Sequence, residues 1–257
     1  YAIYLWIVRG IAFPVDATTE AWIWLSLSGL VGFAIGDLLL FQAFVVVGAR
    51  ISMLIMSLVP PITALTGWII LGETLSFKSL LGMSMTITGV ALVVIRNELP
   101  PPDEQRKRKL RFSYPVTGIL LAFGGAVGQA VGLVLSKFGM KDYDPFAASQ
   151  IRVLAGLVGF TVIFFVMRRW YRVRQAFKSP KGLLFTGIGS VFGPFLGVSF
   201  SLIAIQHTNT GIAATIMSIV PILLIVPAIF IFREKVSLKE VIGSFLAIGG
   251  VAILFLD

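Results

Sequence analysis

Polar and charged residues in this chain fall into short clusters, and between them lie apolar runs at 22–47, 50–71, 77–95, 113–136, 146–167, 182–206, 211–232 and 237–256. Each is close to the ~20 residues a helix needs to cross the hydrocarbon core of a bilayer. The pattern predicts eight complete membrane-spanning helices. Residues 1–13 are also apolar, but they are too short to cross, begin without Met and lack the layout of a signal peptide. They read as the second half of a helix whose beginning is missing.

An internal repeat orders these runs. Sliding the sequence by 161 residues lays 51–91 on 212–252 without a gap. Shared apolar composition explains part of the match, but not Pro60 on Pro221, Glu73 on Glu234, Lys78 on Lys239, Gly82 on Gly243 and Gly89 on Gly250 together. The same offset carries Gly32 and Gly36 onto Gly193 and Gly197. Between Pro60 and Pro221 the chain makes an odd number of crossings, so the halves must have opposite orientations. The expected fold is an all-α polytopic membrane protein of two inverted five-helix repeats. The intact protein would have ten helices, with helix 1 and part of helix 2 missing from this chain. The first repeat then covers 1–96, a cytoplasmic linker 97–112, and the second repeat 113–257.

Composition agrees with this picture. Hydrophobic residues make up 57% of the 257 and charged residues 13%, with a mean hydropathy of +0.96, which excludes an ordinary soluble domain with its ~25% charged share. The net charge of +9 does not call for nucleic acid, because the basic residues sit in loops between spans. Sixteen Lys and Arg fall on one side (Arg50 and the 96–112, 168–181 and 233–240 loops) against Arg9, Lys78, Lys137 and Lys141 on the other. The richer side is expected in the cytoplasm, with the C-terminus outside. The expected location is a bacterial or archaeal inner or plasma membrane. The linker LPPPDEQRKRKLRF at 99–112 is extended by its prolines, and its basic run can touch anionic lipid. With no Cys and a single His, there is no disulfide framework, no thiolate chemistry and no expected metal or cofactor.

Few residues in the spans can carry chemistry. Asp37, in GFAIGDLLLFQ, is about as deep as a carboxylate can be, so it must face a cavity or a partner; it reads either as a proton- or cation-binding group or as a staple between helices. Gln42 lies five residues on, roughly 140° around the helix. Arg152 sits about two turns inside its span and reads as a substrate-carboxylate ligand or as a side chain snorkelling to the interface. Gln129 can bond a ligand or a neighbouring helix. His207, in the connection QHTNTG, is a weak proton-relay candidate. Pro60 and Pro221 each remove a mid-helix amide, so kinks that act as hinges are expected there. Ser57 and Ser218, just before the prolines, can satisfy the freed carbonyls or serve a ligand. Gly32, Gly36, Gly193 and Gly197 expose bare helix faces for close packing. Glu73 and Glu234 close their helices in structural turns, with Ser76 and Ser237 capping the next. No nucleophile elbow, zinc-helix motif or phosphate-cradling loop is present, so an enzyme is not expected.

The helix bearing Gly-Asp and Gln, followed by SLVPPITALTGWIILGETLSFKSLLGMSMTITGVALVV and its repeat SIVPILLIVPAIFIFREKVSLKEVIGSFLAIGGVAILF, resembles the EamA half of the drug/metabolite transporter superfamily. The resemblance covers both repeats. It departs from the pattern at Arg233, where Gly usually precedes the Glu. It implies ten helices around a central cavity lined mainly by helices 1, 3, 4, 6, 8 and 9. Members export or exchange amino acids, nucleotide-linked sugars, drugs and other small metabolites. The expected function is a secondary transporter moving small metabolites such as amino acids, in the export direction, by alternating access. Asp37, Gln42, Ser57, Gln129, Arg152 and Ser218 are the cavity candidates. A facilitator or exchanger of other metabolites or drugs, and a non-transporting scaffold or sensor, are the alternatives. The expected partners are a small-molecule substrate, membrane lipid and protons; monomer and homodimer both remain open.

Overall fold

The computed structural model of the protein describes residues 1–94, 115–168, 170–219 and 238–254. Every regular element among them is a helix. The chain is an all-α polytopic membrane protein. Thr19–Gly48, Val116–Met140, Pro145–Val166 and Pro180–His207 are long and apolar enough to cross a bilayer, and Val59–Leu71 and Val241–Ile253 are shorter apolar helices. In chain order the elements are α1 (Ala2–Arg9), α2 (Thr19–Gly29), a π-helical stretch (Leu30–Gly36), α3 (Asp37–Met56), α4 (Val59–Leu71), α5 (Phe77–Val94), α6 (Val116–Met140), α7 (Pro145–Val166), α8 (Trp170–Ala176), α9 (Pro180–Ser190), a second π-helical stretch (Val191–Gly197), α10 (Val198–His207), α11 (Thr210–Met217) and α12 (Leu238–Leu254).

Local chemistry sets the helix starts. The Thr18 hydroxyl accepts from the Ala21 amide at 3.2 Å, and the Asp144 carboxylate from the Ala147 amide at 2.8 Å. Each satisfies a donor that the first turn cannot. Pro145 and Pro180 occupy first turns, where a missing amide costs nothing. Gly48 ends the first span with φ 83° and ψ 157°, a backbone state that a side chain resists. Gly48→Ala is therefore expected to cost about 1–3 kcal/mol, read as a lower denaturation midpoint with helix content unchanged.

The run expected at 50–71 is two helices. α3 ends at Met56, and Ser57 and Leu58 make a tight turn in which the Leu58 amide donates to the Ile55 carbonyl at 3.0 Å. Pro60 sits in the first turn of α4 rather than inside a helix, so the expected kink is a full break. α11 ends in a similar turn at Ser218 and Ile219, where the Ile219 amide donates to the Ile216 carbonyl at 3.2 Å. Pro221 and Glu234 lie outside the described residues. The two π-helical stretches, like the two turns, stand 161 residues apart.

α6 runs through the middle of the bundle, packed by α2, the first π stretch, α3 and α4. Its bare face makes this possible. A Cβ on Gly132 would lie 2.9 Å from the Gly32 Cα, and one on Gly128 2.8 Å from the Gly36 Cα, so backbones meet there directly. Ser28 donates to the Gly132 carbonyl at 2.6 Å across the same contact. α5 and α12 form a second close pair, in which a Cβ on Gly89 would meet the Gly243 carbonyl at 2.5 Å. The packing role expected for Gly193 and Gly197 finds no neighbouring helix among the described residues. Nothing lies within 4 Å of a Cβ at Gly193, and at Gly197 only the Phe192 carbonyl of the same stretch does.

Candidate functional site

Between the turns that end α3 and α11 lies a cavity of about 380 Å³. Ser57 and Ser218, residues of those turns, both line it. Broken helices are tolerated inside a membrane where the irregular backbone faces such a space. α6 contributes Gln129 and Leu133, one turn apart, and α7 contributes Arg152. The rest of the wall is largely apolar: Phe33 from the first π stretch, Met53, Met56 and Met217 beside the turns, and Val198 and Ser201 from α10. Ser201 and Ser218 donate their hydroxyl protons to the carbonyls of Val198 and Thr215, each at 2.7 Å, which leaves lone pairs for a ligand.

Arg152 is held in place by backbone packing. α7 approaches α2 so closely that a Cβ on Gly29 would lie 2.3 Å from the Arg152 carbonyl oxygen. The guanidinium lies beside Gly32, where its Nη2 would stand at van der Waals distance, 3.6 Å, from a Cβ. The residue is only 4% exposed and does not snorkel. Its Cζ lies 4.6 Å from the centre of the Phe33 ring. Nε has no hydrogen-bond partner, and no carboxylate among the described residues forms an ion pair with it. A buried guanidinium supported by one aromatic ring and the field of Asp37, with no ion pair among the described residues, can still receive an anion.

Asp37 follows the first π stretch directly and is half-buried. Its carboxylate accepts from the Gln129 amide nitrogen at 2.5 Å. Gln129 therefore stands between Asp37 and the cavity, and Asp37 itself is not on the wall. Gln42 does not reach the cavity either. It is exposed on a separate groove with Leu38, Phe160, Phe164 and Phe177, as its angular offset from Asp37 requires. His207 is exposed at the end of α10. Reasoning from polar residues alone missed Phe33, the methionines and Ser201. Met56 and Met217 do carry a signal, because they are a repeated pair directly ahead of the two serines.

Glu73 does more than close a helix. Gly72 takes the left-handed conformation (φ 67°, ψ 20°) and the Glu73 amide donates back to the Gly67 carbonyl at 3.3 Å, which reverses the chain. The Glu73 carboxylate then meets Lys137 of α6 at 2.8 Å and accepts from the Thr210 amide and hydroxyl at 2.8 and 2.6 Å. Lys137 also donates to the Thr208 carbonyl at 2.6 Å. Bare Gly67 makes the meeting possible, since a Cβ there would stand 2.4 Å from the Thr210 hydroxyl. One turn below, a Cβ on Gly211 would lie 2.7 Å from that of Ala64. α4 and α11 are thus locked together at one end of the bundle.

An apolar helical bundle with a cavity beside the turns that end α3 and α11 fits a membrane protein of the transporter class. Residues 1–95 and 116–256 match the EamA-like transporter family, and the chain belongs to it. Among curated proteins it is similar to the uncharacterized inner membrane transporter YhbE of Escherichia coli K12, 26% identical over 140 residues, 54% of this chain and 42% of that protein. It is also similar to an uncharacterized transporter of Methanothermobacter thermautotrophicus, 27% identical over 195 residues, 74% of this chain and 52% of that protein. The matched stretches span about half the length of these relatives. A solved crystal structure shares the fold, with a TM-score of 0.72 and 16% identity over 99% of this chain and 82% of that one.

Proposed function

We propose that the chain is a secondary transporter that exports small metabolites such as amino acids by alternating access of two inverted halves, 1–96 and 113–257, joined by the linker 97–112. The observation that carries this reading is the cavity at Ser57 and Ser218, two turns that end helices at equivalent places of an internal repeat. Discontinuous helices at the midplane are what inverted-repeat transporters use to build a site that either half can expose. The distribution of Lys and Arg assigns the Glu73–Lys137–Thr210 cluster to the external end. Locked there, the cavity is open toward the cytoplasm in this conformation. Asp37, tied to Gln129 at the cavity wall, is the carboxylate assigned to proton coupling.

Two measurements test this. The full-length protein in proteoliposomes is expected to give saturable flux of an amino acid or related metabolite, with an imposed pH gradient driving accumulation that Asp37→Asn removes. A strictly linear concentration dependence for every candidate substrate counts against a transporter. Flux indifferent to both the gradient and the substitution makes the protein a facilitator or exchanger with Asp37 structural. Because the chain contains no Cys, one introduced at Met217 can be labelled cleanly from either side of the membrane. Alternating access requires labelling from both sides, in proportions that substrate changes; labelling from one side alone under all conditions refutes it.

A further inference from the structure

We propose that the ligand of the central cavity is an organic monocarboxylate with an apolar body, and that Arg152 receives its carboxylate. The proposal rests on reading the cavity as the substrate site of a transporter. It starts from what Arg152 lacks. Among the described residues this guanidinium, 4% exposed and with Nε unpartnered, has no carboxylate in ion-pair contact, and only the field of Asp37 reaches it. Burying such a charge is unfavourable, and an anion in the adjoining cavity removes the penalty. Asp37 acts on Arg152 only through its field, because its carboxylate is hydrogen-bonded to Gln129 and forms no ion pair with the guanidinium.

The shape of the donor chooses among anions. Guanidinium presents parallel N–H groups that match the two oxygens of a carboxylate. Phe33 lies against the group without accepting a conventional hydrogen bond, so it does not compete for those donors. A dianionic phosphate would meet one cation on the wall and the field of Asp37 nearby, leaving part of its charge uncompensated. A monocarboxylate brings a single charge, matched to the one guanidinium, and meets a smaller repulsion from Asp37. Beyond Arg152 the wall is Met53, Met56, Met217, Leu133 and Val198, which calls for an apolar body; flexible thioether side chains fit such bodies without demanding one shape. About 380 Å³ accommodates a molecule the size of a large apolar amino acid or its deaminated analogue. The lone pairs of Ser201 and Ser218 can accept from an ammonium group, which makes the amine an addition and the carboxylate the requirement.

Three probes of one skeleton separate the groups: leucine, with both; 4-methylvalerate, with the carboxylate alone; and isoamylamine, with the amine alone. Thermal stabilisation of the purified full-length protein in detergent is the readout, so no transport is needed. The expected result is stabilisation by leucine or 4-methylvalerate and none by isoamylamine. Arg152→Gln should weaken that binding roughly tenfold to a hundredfold, and Arg152→Lys, which keeps the charge, should lose less. The Lys variant also guards against misfolding as the cause. The proposal is overturned if neither carboxylate binds, if isoamylamine stabilises as strongly as they do, or if Arg152→Gln binds them as wild type. Carboxylate binding without flux would instead leave this site standing and remove the transporter reading.

Discussion

Lys137→Ala is expected to destabilise the protein by about 2–3 kcal/mol with helix content unchanged. The magnitude follows from what the substitution leaves behind. Glu73 is 10% exposed at its side chain and Lys137 25%, so their ion pair is largely screened from water. Removing one partner of a buried pair typically costs about 3–5 kcal/mol because the other charge stays buried. Here the two bonds from Thr210 still hold the carboxylate, and the residual exposure of Lys137 lowers the figure. The check is a double-mutant cycle with Glu73→Gln, read by denaturation midpoints. Once the lone carboxylate is gone, the lysine substitution should cost much less, with a coupling of at least about 1 kcal/mol. Additive losses would mean that the bond from Lys137 to the Thr208 carbonyl carries the effect, not the pair. If the cluster seals only one state of a transport cycle, losing ~2 kcal/mol there shifts the two states by roughly thirtyfold. A cysteine at Met217 would report that as faster labelling from the Glu73 end.

How much of this was legible before the structure depends on the range over which each feature is determined. The helix start at Ser76, expected from the residue itself, is local, and its hydroxyl accepts from the Ser79 amide at 3.0 Å. The spans are nearly as local, since bilayer thickness fixes their length. The full break after Met56 was half legible: Pro60 announces a fault, but whether a helix bends through it or stops depends on the space beside it, which is tertiary. The π-helical stretches left no mark in the apolar pattern beyond the glycines that close them. Depth along a span is readable and direction around it is not, because lipid and core are both apolar. That is why Gln42 and Gln129 looked alike and only Gln129 reaches the cavity. The partners of Glu73 were beyond reach for another reason. Lys137 and Thr210 are 64 and 137 residues away, and no spacing rule connects them. Arg152 is intermediate: hydropathy gave its depth, while its burial goes with the close approach of α7 to the bare face at Gly29, a tertiary contact.

That glycine gives the second large effect. Gly29→Ala is expected to cost about 3 kcal/mol or more, at the upper end for overpacking a tight contact, and to displace Arg152 with it. The new methyl group would sit 2.3 Å from the Arg152 carbonyl oxygen and 2.9 Å from its carbonyl carbon and Cα. All three are backbone atoms, so no side-chain rotation relieves the clash and α2 must part from α7. Because Arg152 is the residue met, the guanidinium leaves its place against Phe33, and binding of 4-methylvalerate should fall with stability. The repeat gives no warning, since the residue 161 positions on is Ser190. Gly187→Ala is the matched control. Among the described residues nothing lies within 4 Å of a Cβ there, so helix propensity alone is expected to act, with a change of about 0.5–1 kcal/mol in the stabilising direction. Paired denaturation curves decide it: equal midpoints for the two variants would mean that α2 and α7 do not meet at this distance, and that Arg152 is positioned by something other than the bare face at Gly29.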